Sequence, residues 1–275
     1  MKVLGIGDNV VDVYIPERIG FPGGNALNFS VFAKKLGHDA EFIGTFGSDF
    51  FGKNVKKILA KLKIKNDNSR TLQGENGFTK VELKNGDRKF IYSNHGGVTK
   101  TEGVFARPEY FWDKDLVHFN INGNCDQLIE YVNRENTKII YDFSDFKINE
   151  NKLQYLILRI DLACFSMPNV SRSSVSAFCK TLKKINSKIS VLCTSGSKGA
   201  YFFEGKTNQL TFVEAKKIKV KDTMGAGDSF ITYFSLNYFE KNQKKSIKSI
   251  LEAATDFAAL QCLKDGSFGY KFTIQ

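Results

Sequence analysis

The run Asp222-Thr223-Met224-Gly225-Ala226-Gly227-Asp228-Ser229-Phe230 places three small residues and a carboxylate where an apolar helical pattern begins, continuing through Phe234 and Tyr238. Small residues let consecutive backbone N–H groups converge on an anion, and the positive end of the helix dipole lies at the same place. Gly225, Ala226 and Gly227 therefore read as an anion hole able to receive a phosphoryl group. Asp228 falls in the first turn, where the dipole favours its ionised form and an attacking hydroxyl could pass it a proton. The competing reading is an ordinary Gly-rich helix start with Asp228 as a cap.

Two other runs carry groups of the same kind. Val191-Leu192-Cys193-Thr194-Ser195-Gly196-Ser197-Lys198-Gly199-Ala200 leads from an apolar strand into a Gly-punctuated loop, and loops at the carboxyl ends of parallel strands are where nucleotides bind. Thr194, Gly196 and Gly199 are the candidates there. Near the amino terminus, Gly23-Gly24-Asn25-Ala26-Leu27-Asn28 follows Asp8 and Asp12 and enters a helix. A diglycine allows close approach of a ligand, and Asp and Asn side chains hydrogen-bond several hydroxyls at once. The spacing of Asp8 and Asp12 puts both on one strand face. Asn25 also reads as a helix cap.

The elements that position these groups alternate. Segments 2–7, 114–119, 138–142, 160–165 and 189–194 read as strands, while 25–36 and 49–62 carry helical periodicity. This predicts an α/β fold with three α/β/α layers around a mainly parallel sheet. The stretch 78–92 breaks the rhythm with two alternating strands around Asn85-Gly86, a hairpin signal. With the strand-like 13–22, the region 78–98 is expected to form a small lid sheet within one domain spanning 1–275.

The chain has 275 residues, of which 42% are hydrophobic, and a net charge of +11. Lys and Arg are scattered and the aromatics fall on core-like positions, so a nucleic-acid footprint is not expected. No apolar run is long enough to span a membrane, and the opening MKVLGIGDNVVDVY lacks a signal-peptide centre, so the expectation is a cytoplasmic protein. The five cysteines have no CxxC pair and read as buried thiols. Gly5-Ile6-Gly7 lacks the third glycine of a dinucleotide fingerprint, and Gly205-Lys206-Thr207 reads as a hairpin turn, not a P-loop. His38, His95 and His118 show no metal spacing; His95, flanked by Gly96-Gly97, is the one placed near the lid and a substrate.

With GGNALN near the amino terminus and DTMGAGDSF near the carboxyl terminus, in the expected order and separation, the sequence resembles the ribokinase-like (PfkB) carbohydrate kinases over nearly its whole length. The resemblance implies an ATP- and Mg2+-dependent kinase with Asp228 as base and Gly225–Gly227 as anion hole. It implies that Asp12, Gly24, Asn25 and Asn28 hold a sugar, that Thr194 and Gly196 belong to the nucleotide loop, and that the helix 246–264 borders the adenine. It also implies K+ beside Asp222 and a homodimer paired through the lid. Asn169 matches the first position of an Asn-x-x-Glu motif that organises magnesium waters, but Arg172 stands where the acid would be, so the magnesium ligands stay unassigned. GDNVVDVY, Asp142-Phe143-Ser144-Asp145 and the second signature resemble the fructoselysine 6-kinase subfamily most, implying a fructosamine phosphorylated on its 6-hydroxyl. Fructose, ribose, fructose 6-phosphate or a nucleoside are the alternative acceptors, and a non-catalytic sugar sensor is a further alternative.

Overall fold

Near-continuous runs of Val, Ile, Leu and Phe make the strands of a sheet buried on both faces, as parallel strands require. The computed structural model describes residues 1–84, 87–94, 96–145 and 148–274, with the side chains at 83, 84, 87 and 88 outside that description. The first third of the chain forms β1 (Lys2–Gly7), β2 (Val10–Tyr14), β3 (Ile19–Gly23), α1 (Asn25–Lys35), β4 (Asp39–Gly47) and α2 (Phe50–Lys61). The middle forms β5 (Arg70–Leu72), β6 (Gly77–Lys84), β7 (Asp87–Ser93), α3 (Gly97–Glu102), β8 (Leu116–Asn120), β9 (Lys138–Asp142) and α4 (Glu150–Ile157). The remainder forms β10 (Leu162–Ser166), α5 (Arg172–Ile185), β11 (Ser190–Thr194), β12 (Ala200–Glu204), β13 (Gln209–Val213), α6 (Ala226–Tyr238), α7 (Ile247–Gln261) and β14 (Phe272–Thr273).

Among the described residues the main sheet has the order β13-β12-β11-β10-β9-β8-β1-β4-β5. It is parallel from β11 to β5, and β12 and β13 extend it antiparallel. Alternation along each strand sorts the core into two layers. Val3, Leu116, Ile140, Leu162 and Leu192 face Phe29 of α1, Phe230 and Phe234 of α6 and Leu251 of α7. Leu4, Ile6, Val117, Phe119, Ile139 and Val191 face Leu156 of α4 and Val175 and Leu182 of α5. Each such fully buried side chain contributes about 1.5–3 kcal/mol of transfer free energy. The glycine of the opening motif serves this packing: a Cβ on Gly5 would lie 2.3 Å from the Ala26 carbonyl, so its absence lets α1 settle onto β1. Helix starts follow the sequence signals, with Asp49, Ser171 and Ser246 each accepting from a backbone N–H three residues on.

The second, smaller sheet has the order β14-β3-β2-β6-β7, with β2 and β6 parallel and the other pairs antiparallel. It corrects the expected lid in three ways. The stretch 13–22 is the turn and parts of two strands, with β2 already starting at Val10; a third segment, β14, pairs with β3; and the region expected to reach 98 leaves the sheet after Ser93 and enters α3 at Gly97. The Asn85-Gly86 turn and His95 lie outside the described residues. The five cysteines are free and buried, as expected. Lys206 is exposed in the turn joining β12 and β13, in agreement with the hairpin reading. Among the described residues no helix is long and apolar enough to cross a membrane.

Candidate active site

The parallel strands deliver polar residues from one end of the sheet. β8 ends at Asn120, β9 at Asp142, β10 at Ser166 and β11 at Thr194, and β1 ends at Gly7 just before Asp8. The carboxyl end of a parallel sheet, beside the start of an incoming helix, is where such folds bind ligands. Here that helix is α6. It starts at Ala226 behind Gly225, whose φ of 71° is a left-handed conformation suited to glycine, and a Cβ there would also press to 2.8 Å from the Ser267 carbonyl.

Asp228, in the first turn of α6, meets two amides of α1. Asn25 Nδ2 donates to Asp228 Oδ1 at 3.1 Å and Asn28 Nδ2 donates to Asp228 Oδ2 at 2.6 Å. The same Asn25 amide donates to Asp142 Oδ2 at 3.0 Å, and Asn25 Oδ1 accepts from Asn122 Nδ2 at 3.0 Å. Asn25 is thus held between two carboxylates with its planar amide fixed at both ends. Asp142 also accepts from the Ser144 N–H at 2.7 Å. Its carboxyl is pushed up to about 7, chiefly by burial and then by the negative charge of Asp228, against the hydrogen bonds from Ser144 and Asn25.

Two cavities meet here. The smaller, about 220 Å³, is lined by Asn25, Asp142, Ser144, Asp145, Asp228 and Ile231 among others. The larger, about 630 Å³, runs from Gly196 and Gly199 past Lys216, Ala226 and Phe230 to Thr255 and Ala258 of α7. Ser166, Thr194 and Gly227 line both. Gly227 stands at the junction with no heavy atom within 4 Å of where a Cβ would be. One face of the α6 amino terminus therefore opens onto a large cleft with lysines at its wall, and the same first turn presents Asp228 to a small acidic one.

The structure brings together Asp228, Asn25, Asn28 and the 225–227 turn, and Thr194, Gly196 and Gly199 line the larger cavity. Gly24, with φ of 108°, lies against Asp8 and Asn9 at the entry to α1. Asp12 is buried on β2, its carboxylate packed beside Gly23 and near Ser267. Asp8 is a correction. It does not share a strand face with Asp12, because β2 begins at Val10; instead its carboxylate accepts from the backbone N–H groups of Asn25 (3.0 Å) and Ala26 (3.1 Å). Burial raises its pKa while those bonds lower it, and it acts as the cap that aims α1. Asn169 is a second departure: it is exposed in the turn after β10, with φ of 61°, apart from the residues lining either cavity. Arg172 turns to the Leu210 carbonyl of β13 at 2.7 Å.

Asp222 lies fully buried beneath the 225–227 turn. Its Oδ2 accepts from Tyr14 Oη at 2.5 Å and from the Gly266 N–H at 2.8 Å, and its Oδ1 accepts from the Met224 N–H at 2.9 Å. Three of the roughly four lone-pair directions of the carboxylate are thereby taken, which leaves one for any further partner. Sequence reasoning left Asp142, Ser144, Asp145, Asn122 and Ser166 without a role at the site; the signal for the first three was a polar Asp-Phe-Ser-Asp run at the end of an apolar strand.

The chain is similar in sequence and in fold to known proteins. The pfkB family carbohydrate kinase model matches residues 10–269. The chain is 33% identical over 281 residues to fructosamine kinase FrlD of Bacillus subtilis (strain 168), covering 99% of this chain and 94% of that protein. It is 31% identical over 239 residues to fructoselysine 6-kinase of Escherichia coli (strain K12), covering 85% of this chain and 88% of that protein. Among solved structures, ribokinase from Giardia lamblia superposes with a TM-score of 0.80 at 16% identity, covering 97% of this chain and 94% of that one. Arabidopsis thaliana ribokinase complexed with ribose and ATP superposes with a TM-score of 0.78 at 22% identity, covering 97% and 93%.

Proposed function

This chain belongs to the pfkB family of carbohydrate kinases, and from that premise we propose that it transfers the γ-phosphoryl group of ATP to the 6-hydroxyl of a fructosamine such as fructoselysine. The observation that carries the reading is the junction of the two cavities at Gly227, with Asp228 on the small acidic side and the lysine-walled cleft on the other. ATP would lie in the larger cavity, its phosphates reaching the Thr194, Gly196 and Gly199 loop and its base reaching α7. The sugar would lie against Asp12, Gly24, Asn25 and Asn28.

Phosphoryl transfer is governed by positioning and by charge stabilisation. Asn25 and Asn28 fix the two oxygens of Asp228, so that it can take the proton of the attacking hydroxyl as that oxygen bonds to phosphorus and the bond to the ADP oxygen breaks. The amides at the start of α6 face the charge that develops on the equatorial oxygens. Mg2+ would enter with ATP and neutralise phosphate charge; oxygen donors suit it, and the exposed Asp145 at the mouth of the small cavity would hold its waters together with the phosphates. The K+ implied by the resemblance is not part of this reading, because Tyr14, Met224 and Gly266 already occupy Asp222.

Two observations favour a fructosamine over a sugar phosphate. The small cavity is lined by Asp142, Asp145 and Asp228, and neither Lys nor Arg is among its lining residues as described. Such a wall repels a phosphate and suits an acceptor bearing a secondary ammonium group. The relatives at 31–33% identity, moreover, are named for fructosamine and fructoselysine. The small sheet would close over the sugar as a lid. Its edge strand β7 exposes Phe90 (61%), Ile91 (44%) and Tyr92 (54%), an apolar edge that a second copy of the chain would cover. The proposed reaction would run in the cytoplasm, where ATP is available; the five free thiols suit such a reducing compartment.

The test is kcat/KM for fructoselysine, fructose, ribose and fructose 6-phosphate under one set of conditions. Fructoselysine is expected to lead; a tenfold preference for ribose or fructose 6-phosphate would overturn the fructosamine reading and leave the kinase intact. Asp228→Asn is expected to lower kcat by about 100-fold or more, the scale of a general base, with ATP affinity little changed. Wild-type turnover in that variant would remove Asp228 from the mechanism.

A further inference from the structure

The hydrogen bond between Tyr14 and Asp222 joins residues 208 positions apart in sequence and two different parts of the fold. Tyr14 is the last residue of β2, in the small sheet, whereas Asp222 opens the turn that carries Gly225–Gly227 into α6. The phenol is clamped as well as bonded. Its ring meets Phe21 of β3 edge-on at a centroid distance of 4.9 Å, and Tyr14, Phe21, Val81 of β6 and Met224 form one buried cluster. Three strands of the small sheet are therefore packed onto the residue that precedes Gly225. Asp222 in turn holds the Met224 and Gly266 amides, so its two oxygens set the path of the turn and of the segment that braces Gly225 from below.

A fully buried carboxylate beneath a turn meant to receive phosphate needs compensation, because its charge opposes the ligand's. A hydrogen bond to an ionised buried acceptor is stronger than a neutral one, and losing the donor leaves the acceptor with its desolvation cost. We propose that Tyr14 is a positioning residue: its hydroxyl ties the small sheet to the anion-hole turn through Asp222 and fills the place where a monovalent cation would otherwise compensate that carboxylate, so that the kinase holds its anion hole without K+. Met224 belongs to the same arrangement, its side chain in the buried cluster with Tyr14 and its N–H donating to Asp222. Sheet and turn then move as one unit when the lid closes over the sugar. This inference rests on the reading of residues 225–227 as the anion hole, and the experiment includes an arm that tests that reading separately.

Turnover is measured, with whichever of the four sugars above gives the largest kcat/KM, for wild type, Tyr14→Phe and Asp228→Asn, in choline chloride and in KCl at equal ionic strength. Thermal unfolding of the same proteins is followed in both salts, without substrates. Wild type is expected to show the same kcat and the same melting temperature in either salt. Tyr14→Phe, which keeps the ring and removes only the donor, is expected to lose about tenfold in kcat in choline chloride, the cost of one unsatisfied buried acceptor. KCl is expected to restore most of that loss and to raise the melting temperature of this variant alone. A wild type accelerated severalfold by K+ overturns the proposal, as does a Tyr14→Phe enzyme with unchanged kcat, or one whose loss K+ does not reverse. Should Tyr14→Phe fail to fold, the response of wild-type turnover and melting to K+ decides the matter alone. If Asp228→Asn also leaves turnover unchanged, the placing of the transfer at the start of α6, on which the anion-hole reading depends, fails; if Asp228→Asn is inactive in both salts while Tyr14→Phe is normal, only the role of Tyr14 fails.

Discussion

Replacing Asp142 with Asn tests whether the acidic cavity stores a proton in the free enzyme. Burial, and then the charge of Asp228, raise the Asp142 carboxyl from 3.8 to about 7. Since the two carboxylates share the Asn25 amide and interact, the proton belongs to the pair. In the unfolded chain such a carboxyl is ionised above about pH 4, whereas the native pair keeps its proton up to about pH 7. The native state thus binds more protons in that window, and stability falls as pH rises through it, levelling off above the folded pKa. Asn has no proton to lose, so the fall should be absent from the variant. From pH 5 to about pH 7 it amounts to two units at roughly 1.36 kcal/mol each, or about 3 kcal/mol. The exchange of carboxylate for amide toward Ser144 and Asn25 costs about 1 kcal/mol, but it does so at both pH values and drops out of the comparison. At roughly 2–4 °C per kcal/mol for a chain of this size, Asp142→Asn should gain about 6–12 °C more at pH 8 than at pH 5, relative to wild type. Melting curves of ATP-free and Mg2+-free protein at the two pH values supply the measurement. An equal effect of the substitution at both would mean that Asp142 is ionised throughout and that the reasoning is wrong.

A methyl group at Gly227 meets no heavy atom within 4 Å and enters the junction of the two cavities; Gly227→Ala should therefore change stability by no more than about 0.5 kcal/mol yet lower kcat about tenfold or more, read by urea unfolding and steady-state kinetics. Lys206→Ala should keep most of the activity, because that lysine sits exposed in the β12–β13 turn, and a severe loss would revive a phosphate role for it. Shortening the β6–β7 hairpin should raise KM for the sugar and the ratio of ATP hydrolysis to sugar phosphorylation, as expected of a lid that excludes water; unchanged values for both would leave the hairpin a structural element only.

The layers were legible because each strand of the main sheet is a short apolar run with a turn signal at its end. Segments 2–7 and 138–142 match β1 and β9 residue for residue, and the helical patterns at 25–36 and 49–62 match α1 and α2 to within a residue at each end. The small sheet was less legible. Its strands are partly exposed and take partners from three separated stretches, and nothing local to Phe272 and Thr273 says that they will pair with Gly20 and Ile19. Asp8 was misplaced for a related reason: alternation was carried through Gly7, Asp8 and Asn9, whereas Gly7, with φ of 140°, ends the strand and turns Asp8 toward the start of α1.

The site divides in the same way. Motifs that make a local structure by themselves, such as the small residues opening α6 or the diglycine before α1, state their chemistry in sequence because the backbone they need is nearby. Groups that act through a distant partner do not. Asn25 joins Asp142 and Asp228 across separations of 117 and 203 residues, and Tyr14 reaches Asp222 across 208. The polar residues at the ends of β8, β9, β10 and β11 are each ordinary strand ends, and they come together as one candidate site only because the parallel order of the sheet brings those ends side by side. A carboxylate at such an end looks, in one dimension, like any turn residue. What distinguishes Asp142 is burial next to a second negative charge, a property of the strand order rather than of the Asp-Phe-Ser-Asp run in which it sits. It follows that the acceptor preference of this kinase should be sought in the strand ends that meet around Asn25 as well as in the first signature that supplies Asn25 itself.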